Sequence, residues 1–371
     1  MSHSDSAINT YIHDHQADFI DLLCQIITIP SPTGQEEKKA DWILDYLHHI
    51  GQTQACKDDA GNVLCPVQTD GKTTFPLYNA HMDTVFSQGT DLTPHIDGHI
   101  LAAPSCGDNS AGIASLLFFL TMMKDLHLTL PQGALFAFNV GEEGMGNLKG
   151  MRRIMADWAG RISEVLAVDC TFDEVVSIPV GSHRYRVAIE AQGGHSWMHF
   201  GNTSAIAAAS SIIAGLYGLT VPSQPKTTYN IGTISGGTTV NSIAAHAEFT
   251  ADLRSESHAA LSELDEAFQR IVASARKDGI AITSTSIGER PCSADTDNSP
   301  LCQRIASIRR AHGLDTRFIS GSTDANIPLS LGVPAISFGV CRSHGEHTTD
   351  ESLELDTIET GLQLLAAYML S

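Results

Sequence analysis

Apolar residues recur at helical spacing over two early segments of the chain, residues 18–29 and 36–50. Between these segments lies PSPTG, residues 30–34, whose prolines and glycine interrupt a helix. Later come short, continuous apolar runs of the kind found in strands buried on both faces. These runs occupy residues 75–80, 134–140, 165–168 and 335–340. Helical patterns separate them, and the alternation of strands with helices predicts a layered α/β sheet.

A different order of elements follows between about residues 182 and 287, where the pattern indicates a strand, a helix, two strands, a helix and a strand. This order predicts a compact α+β domain inserted into the first. At 371 residues the chain is long enough for two domains. We therefore expect a catalytic α/β domain, with a central sheet flanked by helices, over residues 1–180 and 297–371. The inserted domain is expected over residues 181–296.

Charge excludes two classes of partner. The chain has 42 acidic and 22 basic residues, a formal net charge of −20, and no run of lysine or arginine. Nucleic acids and anionic membrane surfaces are therefore not expected partners. The first twenty residues have neither a basic start nor a continuous apolar segment, and no apolar stretch reaches about 18 residues. We expect a cytoplasmic protein that does not enter membranes.

Chemically capable side chains follow the buried runs, at the points where the predicted strands end. Ligands of open α/β sheets bind at the carboxyl ends of the strands. A single carboxylate in this place is more often an exposed cap, but several strands that deliver such groups to one edge favour a functional site. The residues in question are His81, Asp83, Glu142, Glu143, Asp169, His344 and His347.

The spacing of these residues suggests roles. His81 and Asp83 share a face of an extended segment, so the carboxylate can orient the imidazole. Glu142 and Glu143 point in different directions, which suits one as a metal ligand and the other as a base. Asp108 follows Gly107, where the backbone can approach closely, and precedes a predicted helix. Its ordinary interpretation is a helix N-cap.

Nitrogen and oxygen donors without a thiolate fit zinc, and equally cobalt or manganese. Two divalent ions would be balanced by three carboxylates and a bridging hydroxide, which gives a nearly neutral site. The ligand set therefore favours two metal ions over one.

Several motifs in one order resemble the co-catalytic zinc amidohydrolases, which include peptidase T, carboxypeptidase G, acetylornithine deacetylase, succinyl-diaminopimelate desuccinylase and aminoacylase. The resemblance extends over nearly the whole chain. It rests on NAHMDTV, IDGHILAAPSCGDNSAG, NVGEEGMGNLKG, AVDC, GGHS, TVNSIAAHAEFTADLR, SGSTDANIPLSLGVPAISFG and EHTTDESLEL. It implies a zinc-exopeptidase-like catalytic domain and an inserted ferredoxin-like domain that forms a homodimer.

The resemblance also implies the ligand set. His81 and Asp169 would bind one metal ion, Glu143 and His347 the other, and Asp108 would bridge both. Glu142 would be the general base and Asp83 the partner of His81. The Asp108–Asn109 bond is expected to be a cis peptide, and His344 is predicted to lie in a loop.

In the inserted domain, the resemblance gives His195, with Asn241, the role of stabilising the oxyanion, in its own active site or the partner's. Without the resemblance, His195 is an ordinary histidine at a turn. Arg254 either binds a substrate carboxylate or bridges to Asp252, and Asp324 either lies in a substrate loop or caps a helix.

These residues predict metal-dependent hydrolysis of an amide bond in small peptides, of the aminopeptidase, dipeptidase or carboxypeptidase type, through a metal-bridging hydroxide. One alternative is an N-acyl-amino-acid deacylase, and another is a catalytically inactive metal-binding regulatory protein. A serine hydrolase and a phosphate-loop enzyme are not supported, because neither GxSxG nor GxxxxGK[ST] occurs.

Overall fold

A computed structural model describes the backbone from His3 to Ser371. The fold divides into two units. The first unit comprises the chain up to Pro179 together with Ala294–Ser371, and the second is Val180–Ser293. No helix in the described part of the chain combines the length and apolarity needed to cross a bilayer.

The helices are mostly of ordinary length for a globular protein. In chain order, those within the described residues are α1 (His3–Asp14), α2 (Gln16–Ile27), α3 (Glu37–His49), α4 (Gly112–Asp125), α5 (Lys149–Asp157), α6 (Ala205–Tyr217), α7 (His258–Ser274), α8 (Ser299–Ala311), α9 (Asn326–Ser330) and α10 (Ile358–Met369).

Strands occur in both units. In chain order, those within the described residues are β1 (Cys56–Lys57), β2 (Val63–Val67), β3 (Phe75–His81), β4 (His95–Asp97), β5 (Ile100–Ala102), β6 (Ala134–Asn139), β7 (Ile162–Val168), β8 (Glu174–Pro179), β9 (Gly181–Ala191), β10 (Gly194–His195), β11 (Thr227–Gly236), β12 (Ser242–Ile243), β13 (His246–Ser255), β14 (Ile280–Arg290), β15 (Arg317–Gly321), β16 (Ala335–Phe338), β17 (Arg342–His344) and β18 (Ser352–Glu354).

The first unit is built on an eight-stranded mixed sheet of order β1-β2-β6-β3-β7-β16-β8-β15. The neighbours β6, β3, β7 and β16 run parallel to one another at its centre. Their side chains are almost entirely buried on both faces, as the continuous apolar runs predict. The predicted α/β architecture is thus confirmed.

Helices cover both faces of this sheet, and the side chains of β6 pack against helices on each face. Phe136 and Phe138 pack into the larger core together with residues of α2, α4 and α10. Leu135 and Ala137 point the other way, into a smaller core with residues of α5 and α9. The strand period of two therefore places bulky groups alternately in two cores, and each core fixes the register of the strand.

The second unit is a four-stranded antiparallel sheet of order β11-β13-β9-β14, and it holds its own apolar core. Along the chain its elements run β9, α6, β11, β13, α7, β14, which is the ferredoxin-like order. Side chains of α6 and α7 pack into that core. Ser204 and Ser257 cap these helices, because each side chain accepts an N–H three residues on.

Several parts of the first unit were not predicted from the sequence, including the strands β1, β2, β8 and β15 of the large sheet. The helix α1 precedes the first predicted helix. A small antiparallel sheet of order β17-β18-β5-β4 contains the segment around His344. The expectation that His344 lies in a loop was wrong, because it ends β17 and its Nε2 lies 2.9 Å from Glu354 Oε1.

A short irregular turn, Cys106–Ala111, leads into α4 and is tied to the sheet. The Asp108–Asn109 peptide bond within it is cis, as the resemblance implied. Asn109 Nδ2 donates to the carbonyl oxygen of Val168 at the end of β7, and Gly112 N donates to Asn109 Oδ1. A Cβ at Gly112 would collide with both of these oxygens. The turn can therefore approach β7 only because residue 112 is glycine.

Replacing Gly112 with alanine is expected to destabilise the first unit by about 1–3 kcal/mol, because a backbone carbonyl within a packed sheet cannot move away. The readout is the midpoint of urea unfolding compared with Gly89→Ala. A Cβ at Gly89 meets nothing within 4 Å. The control should stay within about 0.5 kcal/mol of the native protein. Equal midpoints for the two variants would contradict the close approach.

Candidate metal centre

Three central strands deliver acidic and histidine side chains to one edge of the sheet. His81 is the last residue of β3, while Glu142 and Glu143 follow β6, and Asp169 directly follows β7. The parallel pairings of β3 with β6 and β7 bring these strand ends together, with His81 opposite Asn139. The backbone N–H of Asp169 donates to the carbonyl oxygen of Phe338 in the next strand, at 3.2 Å.

Two further residues arrive from outside the sheet. Asp108 lies in the irregular turn before α4, and His347 lies in the hairpin between β17 and β18. His347 has a left-handed backbone with φ of 66°, which is uncommon for a residue with a side chain. Its Nε2 lies 3.2 Å from Asp108 Oδ2 and 2.9 Å from Glu143 Oε1.

The structure brings the predicted ligands into two clusters that share Asp108. One cluster joins His81, Asp108 and Asp169, and another joins Asp108, Glu143 and His347. A further cluster contains His81 with Glu142 and Glu143. Within each cluster the potential ligand atoms lie within 4.8 Å of one another. Asp108 thus has neighbours on both sides, as a bridging carboxylate requires.

The contacts of His81 test whether these residues fit a cation. Its Nδ1 lies 3.1 Å from the carbonyl oxygen of Asp83, which only accepts, so Nδ1 carries a proton and the neutral ring has its lone pair on Nε2. That Nε2 lies 2.9 Å from Asp108 Oδ1, a buried oxygen without a hydrogen-bond partner. Two lone pairs this close need a cation or a proton between them, and the residues therefore fit a metal ion.

The close packing of these groups raises the pKa values of Asp169 and His347. Burial and then the charge of Asp108 raise the pKa of Asp169 above its ordinary value. Asp108 and Glu143 raise the pKa of His347 to about 10. Because like charges packed this tightly disfavour ionisation, a divalent cation among them would be strongly favoured.

The sequence predicted that the carboxylate of Asp83 orients His81, but in the structure this carboxylate has other partners. Its carboxylate Oδ1 is 3.6 Å from His81 Nδ1, longer than a hydrogen bond. The carboxylate instead accepts the backbone N–H of Glu142 on Oδ1 and that of Glu143 on Oδ2, each at 2.9 Å. Thr33 Oγ1 also donates to Oδ2, at 2.9 Å. Asp83 therefore orients His81 mainly through its backbone and fixes the two glutamates through its side chain.

A buried polar network behind the strand ends was missed by the sequence analysis. Asn79 Nδ2 and Asn139 Nδ2 both donate to Asp324 Oδ2, at 2.9 and 2.7 Å. Burial and then the charge of Glu142 raise the pKa of Asp324 to about 8. Asp324 thus neither lies in an open substrate loop nor caps α9. The asparagines in otherwise apolar buried runs were the available sequence signal.

Of the residues predicted in the inserted domain, two are neighbours in the second unit. His195 and Asn241 adjoin because β10 pairs with β12. His195 Nδ1 accepts the backbone N–H groups of Trp197 and Met198, at 3.2 and 3.4 Å. Its proton is therefore assigned to Nε2, and the exposed ring presents a donor. Asn241 Oδ1 accepts from Thr239 Oγ1, so the donor of this amide is Nδ2.

Arg254, the third residue, is paired within its own strand. Its Nε donates to Asp252 Oδ2 at 2.7 Å, and the guanidinium side chain is 39 % exposed. Asp252 also lies 3.6 Å from Arg184 Nε. This arrangement favours the structural interpretation of Arg254 over the substrate-binding one.

Comparisons with known proteins identify a matching family and several proteins of similar fold. The model of a family described as peptidase family M20/M25/M40 matches residues 77–371. The uncharacterised protein YqjE of Bacillus subtilis is 24 % identical over 324 residues, 84 % of each chain. The dipeptidase Dug1p of Saccharomyces cerevisiae superimposes with a TM-score of 0.81 at 15 % identity, over 100 % of this chain and 98 % of its own. The aminopeptidase PepT of Bacillus cereus gives 0.77 at 20 % identity, over 95 % and 98 %.

Metal analysis after exhaustive dialysis should separate the shared ligand from the others. The native protein is expected to retain about two divalent ions per chain, because a co-catalytic site holds a pair. Asp169→Ala should lose about one ion, whereas Asp108→Ala should lose both. Asp108 belongs to the cluster with Asp169 and also to the cluster with His347. Asp91→Ala, an exposed carboxylate, is the control. Full metal content in Asp108→Ala would exclude the bridging role.

Proposed function

The chain belongs to peptidase family M20/M25/M40, and from this membership we propose that it hydrolyses a peptide bond of small peptides in a metal-dependent reaction. The observation that carries the proposal is the pair of three-residue clusters joined at Asp108. We assign His81 and Asp169 to one metal ion and Glu143 and His347 to the other. The oxygen and nitrogen donors fit zinc, with cobalt or manganese as substitutes.

When bound, the two ions would lower the pKa of a water molecule and polarise the scissile carbonyl. Glu142 is the proposed general base. It is 5 % exposed, and its backbone N–H is held by Asp83, so the carboxylate is supplied from a fixed position. It accepts the proton of the attacking water, whose oxygen bonds to the carbonyl carbon. Glu142 then gives this proton to the amide nitrogen as the carbon–nitrogen bond breaks, so that the nitrogen leaves as a neutral amine.

His195 is proposed to donate through Nε2 to the negative charge that develops on the carbonyl oxygen. The backbone N–H groups that occupy Nδ1 support this role, because they fix the tautomer and the direction of the ring. Asn241 Nδ2 is proposed as a second donor. Arg254 stays a weaker candidate for substrate binding, because Asp252 already accepts its Nε–H.

We also propose that the protein is a homodimer formed through the second unit. Its strand β11 lies at the edge of the sheet and is largely exposed after its first residues. Large apolar side chains are exposed near His195 and Asn241, with Trp197 at 86 %, Phe200 at 92 % and Val240 at 103 %. Exposed apolar groups of this size favour a protein partner. The cytoplasmic location stays a prediction.

A hydrolysis screen tests the proposed function. Metal-reconstituted protein should cleave di- or tripeptides faster than N-acetyl or N-succinyl amino acids, and a chelator should abolish the cleavage. Glu142→Gln should keep its metal ions and lose about 100- to 10,000-fold in kcat, because the proton acceptor is removed. Glu263→Gln, an exposed glutamate of α7, is the control and should behave as the native protein.

The other outcomes of the screen have distinct meanings. Preference for N-acyl substrates would make the protein a deacylase. Native turnover in metal-loaded Glu142→Gln would refute the assignment of the base. Absence of turnover on both substrate classes with metal bound would favour the inactive regulatory protein.

A mixing experiment tests whether His195 acts in the active site of the partner. Glu142→Gln and His195→Ala chains are co-expressed with different tags, and the mixed dimer is purified by both tags. If His195 acts across a twofold dimer, one site is intact and activity should return to about half of the native value. If His195 acts in its own chain, both sites stay defective. A monomer in light scattering would overturn the dimer itself.

A further inference from the structure

Glu351 lies at the base of the hairpin that carries His347 and is completely buried. It directly precedes β18, and its carbonyl oxygen accepts the backbone N–H of Ala103, at 3.0 Å. Its own N–H donates to Thr348 O within the hairpin, at 3.3 Å. The backbone of Glu351 therefore belongs both to the hairpin and to the small sheet of β17, β18, β5 and β4.

The side chain of Glu351 reaches the turn that carries Asp108. Oε2 accepts the backbone N–H of Ser105 at 2.9 Å. Oε1 accepts the N–H groups of Gly107 and Asp108, at 2.8 and 2.9 Å. A buried carboxylate is costly unless it is hydrogen-bonded, and backbone amides of one short turn supply these bonds.

The turn depends on such contacts because it is not a regular element. Ser105 has a φ of 65°, a left-handed conformation that is unfavourable for a residue with a side chain. A Cβ at Gly107 would lie 2.6 Å from Ser343 Cβ and 3.3 Å from Glu351 Oε1. The turn thus packs directly on β17 and on the Glu351 carboxylate, which leaves little freedom for the position of Asp108.

We propose that Glu351 is a positioning residue of the metal centre. It fixes the bridging Asp108 by accepting the backbone N–H groups of the turn that carries Asp108. It thereby keeps Asp108 next to His347, which lies four residues before Glu351 in the same hairpin. The inference rests on the proposed metal-dependent function. Asp108 Oδ2 and His347 Nε2 lie 3.2 Å apart, so a small displacement of the turn against the hairpin would separate two donors of one cluster. Glu351 is completely buried and both of its carboxylate oxygens accept backbone N–H groups, so it acts through Asp108 and is not itself proposed as a metal ligand.

The test compares Glu351→Gln with Asp350→Asn, the neighbouring exposed carboxylate. Glutamine keeps the shape of the side chain but places an NH₂ group against a backbone N–H, whichever way the amide is turned. Calorimetric titration of the metal-free protein with Zn²⁺ should show one of the two ions bound about 10- to 100-fold more weakly in Glu351→Gln. Asp350→Asn should bind both ions as the native protein does.

A second variant and two further readouts separate positioning from simple stability. Glu351→Asp keeps the charge but shortens the side chain, and it should give an intermediate loss of affinity. The absorption spectrum of the cobalt-loaded Glu351→Gln protein should change, because the ligand geometry changes. Its kcat should fall more than its KM rises, because Glu351 is completely buried and cannot contact a bound peptide.

Each remaining outcome decides a different point. If Glu351→Gln unfolds at a lower temperature but binds both ions within threefold of the native affinity, with an unchanged cobalt spectrum, Glu351 has only a structural role and the proposal fails. If Glu351→Gln does not fold, the same comparison is made with Glu351→Asp. If the native protein binds no pair of ions, the proposed function fails first, and the titration of the native protein shows this independently of any variant.

Discussion

Mutual repulsion among Asp108, Glu143 and Asp169 is the constraint around which the first unit is arranged. Two unit charges about 4 Å apart repel by about 4 kcal/mol at an effective dielectric constant of 20. Positive charge between the carboxylates offsets this repulsion, but it does not fix where each carboxylate stands. Position is set by other buried carboxylates that hold the surrounding backbone. Asp83 accepts the N–H groups of residues 142 and 143, and Glu351 accepts those of residues 105, 107 and 108.

The eight-stranded sheet positions one group of metal-site residues, and the small sheet of β17, β18, β5 and β4 positions the other. Parallel pairing of β3 with β6 and β7 places His81 and Asp169 at the strand ends, and Glu143 in the short loop that follows β6, at the same edge of the sheet. The small sheet pairs β5, which leads into the turn of Asp108, with β18, which closes the hairpin of His347. The two groups meet where Asn109 donates to the last carbonyl of β7. Two independent hydrogen-bonded frameworks therefore converge on one cluster.

The strand-end residues could be predicted from the sequence, because a buried apolar run fixes where a strand ends and parallel register brings the ends together. Asp108 could not be assigned in this way, since an aspartate before a helix has the ordinary interpretation of a cap, and the resemblance decided its role. The buried network of Asp324 and the role of Glu351 were missed for another reason. Their partners lie 185 to 246 residues away along the chain, and no local period reports such contacts. The three-residue strands of the small sheet are too short to show a period.

The buried cluster supplies general chemistry, and selectivity must come from elsewhere. The proposed pair of metal ions and the proposed base Glu142 would act on any amide carbonyl that reaches them, whether its acyl group is an amino acid or acetate. What distinguishes substrates is the group on each side of the carbonyl, and that group meets side chains beyond the cluster. In the second unit, the apolar Trp197 and Phe200 are among the most exposed large side chains, and both lie close in sequence to His195. His195, the proposed donor to the carbonyl, and these apolar side chains, which we assign to the dimer interface, belong to one short segment. Substitutions in this segment should therefore alter dimerisation and selectivity together, without altering the number of metal ions bound.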